Sequence, residues 1–209
     1  MPTIFADQPL VFPHPAFGWS WYVVLLSLLL ASAYWDLRTH LIPKWLPLTL
    51  LALGLGGQLV RGTWLGLMDD EVWLLGRHGA LVAAVDALLF GAAGFAVGFA
   101  TFFAMWILRI CGGGDVKLFA ALSVWTGPKW ALWLLAGSTA VLIVLAMGVM
   151  LSAFLRRGPS SALKAFSRRA GMPNEAKARG MTYSLPLVIA SAIMLAWFWR
   201  YDLGLSFPR

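Results

Sequence analysis

The run Ala80–Leu108, ALVAAVDALLFGAAGFAVGFATFFAMWIL, decides the fold class: across its whole length it carries a single charge, Asp86. A helix needs about 20 mostly apolar residues to cross a bilayer, and this run is long enough to cross at a tilt. Outward from it lie five further apolar segments, at about 18–35, 45–60, 116–127, 130–155 and 183–199. Open strands would leave backbone groups unpaired in hydrocarbon, so all six segments are expected to be helical. The expectation is an all-α polytopic membrane protein, a bundle of about six transmembrane helices. Residues 18–199 would form the membrane domain, with tails at 1–17 and 200–209. A basic loop at 156–180 would join the last two spans.

Composition agrees. Of the 209 residues, 60% are hydrophobic and 12% charged, with a mean hydropathy of +0.78; ordinary soluble domains carry roughly a quarter charged residues. Trp19, Trp21, Trp45, Trp64, Trp106, Trp130, Trp197 and Trp199 fall near span ends, as an aromatic belt does. The net charge of +7 invites a nucleic-acid reading. The basic residues flank apolar spans, however, where they set topology and meet anionic lipid headgroups, and nucleic acid is rejected as a partner. A single cysteine, Cys111, excludes an internal disulfide. With His40 and His78 on opposite sides, no metal set assembles, and no cofactor is expected. Residues 1–33 loosely resemble a secretory signal, but no Lys or Arg precedes the apolar run Val23–Leu30. A signal needs a basic start, so this run is expected to be a retained first span.

Charge then orients the bundle. One set of span ends carries Arg38, Lys44, Arg109, Lys117, Arg156, Arg157, Lys164, Arg168, Arg169, Lys177 and Arg179, which is 11 of the 16 basic residues. That side is expected to be cytosolic. Six spans then place both termini outside the cytosol. Within the basic loop, Ala162, Leu163, Phe166 and Ala170 fall near one helical face. This fits either an interfacial helix on anionic lipid or a solvated loop.

On the cytosolic side two carboxylates stand at span ends. Asp36 closes the first segment, in Trp35-Asp36-Leu37-Arg38-Thr39-His40-Leu41-Ile42-Pro43. Asp115 opens the fourth, in Cys111-Gly112-Gly113-Gly114-Asp115-Val116-Lys117-Leu118. Either alone reads as a solvated loop carboxylate paired with Arg38 or Lys117. Together they suit water activation, in which one carboxylate takes a proton from water while the other, protonated, polarises an amide carbonyl. A helix N-terminus favours the charged form and a C-terminus disfavours it. On that ground Asp115 is expected to be ionised and Asp36 to hold the proton, although the pair titrates as a unit. Gly112, Gly113 and Gly114 would let backbone approach a substrate without side-chain obstruction.

These residues carry a resemblance. Gly112-x-Gly114-Asp115-x-Lys117-Leu118 resembles the G-x-G-D-x-K-L signature of prepilin peptidases (type IV leader peptidases), a family of membrane aspartic peptidases. Asp36 before Ile42-Pro43 matches the place of that family's other aspartate. The order, the spacing and the six-span plan resemble short members serving tight-adherence (Flp-type) pilus systems. The resemblance implies an aspartic endopeptidase of the bacterial inner membrane that removes the basic leader of a prepilin or pseudopilin precursor. It implies Asp36 and Asp115 as the catalytic pair, with Gly112, Gly113, Gly114 and Lys117 supporting the substrate site. Lys44 replaces the usual Asn. Thr182-Tyr183-Ser184-Leu185-Pro186 replaces the usual Pro-Tyr/Phe-Gly, which bears on substrate fit. The paired-cysteine domain of the long members does not occur in this sequence, so N-methylation is not ascribed to it.

Other polar residues read as structural. Asp86 lies near the outer end of the third segment, away from the pair. Ser138 and Ser184 lack the sequence context of a nucleophilic serine. Two alternatives stay open. A presenilin-like peptidase also uses G-x-G-D, though Trp35-Asp36 only approximates its Tyr-Asp motif. A small transporter or pilus assembly factor could instead bind protons or cations with the acidic pair.

Overall fold

The computed structural model describes residues 11–39, 43–76, 79–109, 111–157 and 184–205. They form five helices: α1 Pro15–Thr39, α2 Trp45–Leu67, α3 Gly79–Ile107, α4 Gly113–Arg157 and α5 Ser184–Phe198. Each of the six expected segments overlaps a helix, because α4 accommodates two of them. At Gly127 the backbone leaves the helix, with φ 76° and ψ 175°. A positive φ there suits glycine, and Pro128 has no N–H with which to continue the ladder. Among the described residues three stretches are long and apolar enough to cross a membrane, Pro15–Thr39, Gly79–Ile107 and Gly113–Gly148, and α5 is a shorter apolar helix. The chain is an all-α membrane protein, with Asp115 in the first turn of its fourth helix.

Side-chain contacts fix the helix directions. The Trp19 indole N–H donates to the Leu203 carbonyl at 3.0 Å and the Tyr22 hydroxyl to that of Ala192 at 2.7 Å. Further along α1, Asp36 accepts from Ser184, so α1 and α5 are antiparallel. The first arm of α4 also opposes α1. Trp21 meets Trp125 edge to face at 4.7 Å, while Asp36 and Asp115 share the other end. On the second arm, Trp130 stacks on Phe198 at 4.1 Å and Gly137 abuts Met194, which makes this arm antiparallel to α5. The chain therefore reverses at Gly127–Pro128.

Lipid tails are as apolar as leucine, so helices in a bilayer associate mainly by close packing through small residues. A methyl group added at Gly94 or Gly98 of α3 would strike Ser123 of α4, and one at Gly62 of α2 would strike Ala83, Ala84 and Ala87 of α3. Phe102 and Phe119 stack at 4.2 Å between α3 and α4. The fully buried interior includes Leu25, Leu29, Leu122 and Leu134, while Leu67, Leu81 and Leu155 stay exposed, as side chains facing lipid do.

One boundary differs from expectation. The second segment was expected to end near residue 60, where Arg61 interrupts the apolar run, but α2 continues to Leu67. Arg61 is buried: its Nε–H donates to the Val11 carbonyl at 2.5 Å and its Nη1 to Gln58 Oε1 at 3.0 Å. A satisfied guanidinium does not need to end the helix in water. The expected face at 162–170 lies outside the described residues, as do His40, His78 and Thr182-Tyr183.

Candidate active site

Three helix ends converge where the sequence placed its carboxylates: the close of α1, the start of α4 and the start of α5. Asp36 lies in the last turns of α1, 7% exposed. Its Oδ2 accepts a hydrogen bond from the Ser184 hydroxyl, which is itself buried at the first residue of α5. Asp115 lies in the first turn of α4 and is partly buried. Its Oδ2 accepts the Gly112 backbone N–H at 3.1 Å, and the Asp115 N–H returns to the Gly112 carbonyl at 3.1 Å. This reciprocal pair resembles half of a capping box, in which an acid in the first turn satisfies the amide just before the helix.

Asp36 and Asp115 are close enough that the charge of one is felt at the other. Asp36 also reaches the first described residue of α5 through Ser184.

Gly113 and Gly114 belong to the first turn of α4. Their N–H groups come too early in the helix to have an intrahelical acceptor, and such donors suit a carbonyl oxygen or an anion. Gly112 keeps its N–H on Asp115. Lys117 is exposed, one turn into α4. Cys111 lies between Asp115 and the end of α3, and its thiol donates to the Phe102 carbonyl at 3.5 Å. Burial, with the Asp115 charge adding to it, pushes the thiol up to about 11. A thiol so rarely ionised is a poor nucleophile at neutral pH.

Sequence reasoning missed the partnership of Ser184 with Asp36. The two residues lie 148 positions apart, and the only signal was a departure from the family pattern at the start of the last segment. Asp86, set aside as structural, accepts the backbone N–H groups of Trp73 at 2.8 Å and Leu74 at 2.9 Å. It lies at the opposite end of the bundle from Asp36 and Asp115.

Against known proteins, a family model described as the type IV leader peptidase family matches residues 23–154, more than half of the chain and inclusive of both aspartates. No curated protein and no solved structure matches it.

Proposed function

The chain belongs to the type IV leader peptidase family, and from that premise we propose that it is an aspartic endopeptidase cutting the leader of Flp-type prepilins or pseudopilins at the cytosolic face of the bacterial inner membrane. Asp36 and Asp115 are its catalytic pair. The observation that carries this reading is the convergence, at one end of the bundle, of two carboxylates from different helices.

The chemistry follows from a shared proton. The ionised aspartate takes a proton from water as the water oxygen bonds to the scissile carbonyl carbon. The protonated aspartate gives its proton to the carbonyl oxygen, leaving a neutral gem-diol. In the second step the amide nitrogen takes the proton held by the first aspartate and the C–N bond breaks. A diol hydroxyl returns its proton to the second aspartate as the acid product forms, and the pair is restored to one proton. In this reading the N–H groups of Gly113 and Gly114, in the first turn of α4, hold a substrate carbonyl. A leader in the cytosol followed by an apolar helix presents its junction at this level. Anionic lipid would hold the basic residues beyond α4 at the same surface.

The test uses purified protein in liposomes with an Flp-type prepilin. Asp36→Asn and Asp115→Asn should each lower cleavage by at least ~10³-fold, with the double change adding little, because the pair acts as a unit. Cleavage surviving either change would favour the transporter or assembly-factor reading. Reporter fusions after Arg109 should read cytosol and those after Arg61 the outside; the reverse result would reject the orientation.

A further inference from the structure

We propose that Ser184 is a positioning residue for Asp36, and that α5 thereby supplies a working part of the site. The proposal rests on the role given to Asp36 above. The Ser184 hydroxyl donates to Oδ2 of Asp36, and both residues are buried, Ser184 at 1% exposure. A carboxyl group turns readily about its Cβ–Cγ bond. A hydrogen bond from a neighbouring helix fixes that rotation, commits one oxygen to α5 and reserves the other for water or the scissile carbonyl. Whenever Asp36 is the ionised member of the pair, the bond belongs to the stronger, charge-assisted class.

The donor has little freedom to move away. Along its length α5 is held in register on α1 by the Tyr22 hydroxyl on the Ala192 carbonyl and, just past its end, by the Trp19 indole on the Leu203 carbonyl. Leu187, Val188 and Ser191, on the same face of α5 as Ser184, are buried too. The arrangement resembles the orienting partner of other catalytic acids and bases, in which a third group holds the reacting one in a single pose. Ser184 also lies beyond the residues matched by the family model, which end at 154. The matched part thus contains both acids but not the group that orients one of them.

The experiment compares two variants of nearly equal shape, Ser184→Thr, which keeps the hydroxyl, and Ser184→Val, which does not. Each is reconstituted in liposomes with an Flp-type prepilin, and thermal unfolding is recorded in parallel. The Val variant should lose about 10- to 100-fold in kcat with KM little changed, while the Thr variant stays within a few-fold of the parent. In an Asp36→Asn background the Val change should alter residual cleavage no further. Equal activity of the Thr and Val variants overturns the proposal, whether both are active or both inactive. So does a loss confined to KM. Asp36→Asn distinguishes the two levels of failure. If it retains cleavage, the aspartic reading itself falls; if it is inactive while Ser184→Val matches Ser184→Thr, only the role of Ser184 falls.

Discussion

The two ends of this bundle treat buried acids in opposite ways. At the end where α2 passes to α3, Asp86 takes the N–H groups of Trp73 and Leu74, and Asp202 takes those of Val11, Phe12 and its own backbone, with Arg61 nearby. At the other end Asp36 has the Ser184 hydroxyl and Asp115 has the Gly112 N–H. An ionised carboxylate offers about four acceptor positions. Asp86 and Asp202 spend theirs on backbone, which fixes loops and tails to the helices. Among the described residues Asp36 and Asp115 keep capacity in reserve beside each other, an arrangement poorly suited to stability and well suited to proton exchange. In a chain with nine acidic residues, this contrast separates structural acids from candidate catalysts better than burial does, since Asp86 is more deeply buried than Asp36.

The contrast can be broken experimentally. The largest effect should be the loss of cleavage in Asp36→Asn or Asp115→Asn with thermal stability nearly intact; a variant that instead unfolds would make this pair structural as well. Arg61→Met should do the reverse, costing about 2–4 kcal/mol of stability, because Asp202 and the Val11 carbonyl lose a buried partner. Its cleavage per folded molecule should stay near the parent's, measured after normalising to folded protein. Asp86→Asn should cost a smaller ~1–2 kcal/mol, since an amide oxygen still accepts one of the two N–H groups. A cleavage defect of 10-fold or more in this variant, at full folding, would erase the distinction between the ends.

The smallest effect concerns Cys111. Its ionisation lies near pH 11 partly because of the Asp115 charge. Alkylation at neutral pH should therefore be slow and should rise toward that pH. Removing the negative charge with Asp115→Asn lowers the thiol's pKa, so alkylation at a fixed pH below 11 should speed up by a few-fold. An unchanged rate would show that the Asp115 carboxyl carries little charge in the resting site.

Much of this was legible in the sequence because lipid imposes simple rules. Long apolar runs became helices, the Gly127-Pro128 break fell where one expected segment ends and the next is about to begin, and the three-glycine run opened a helix with its acid in the first turn. Two things were not legible. The reach of α2 past Arg61 depends on Gln58 and on Val11, 50 positions away, and no local pattern shows that a charge will find such partners. The bond from Ser184 to Asp36 depends on how α5 registers against α1, which is set by Tyr22, Trp19 and close packing rather than by anything adjacent to either residue.

The break at Gly127 has a consequence in bilayer thickness. The first arm of α4, residues 113–126, is 14 residues long and rises only about 21 Å, against a hydrocarbon core of about 30 Å. Lipid can thin around an arm so short, or one of its ends, at Asp115 or at Gly127, can sit below the headgroups. Under the proposed function, an Asp115 end lying low would let a peptide bond at the edge of an apolar helix reach the carboxylates with less of that helix drawn out of the lipid. The proline-bounded shortness of one arm would then become a local lowering of the membrane surface at the proposed site.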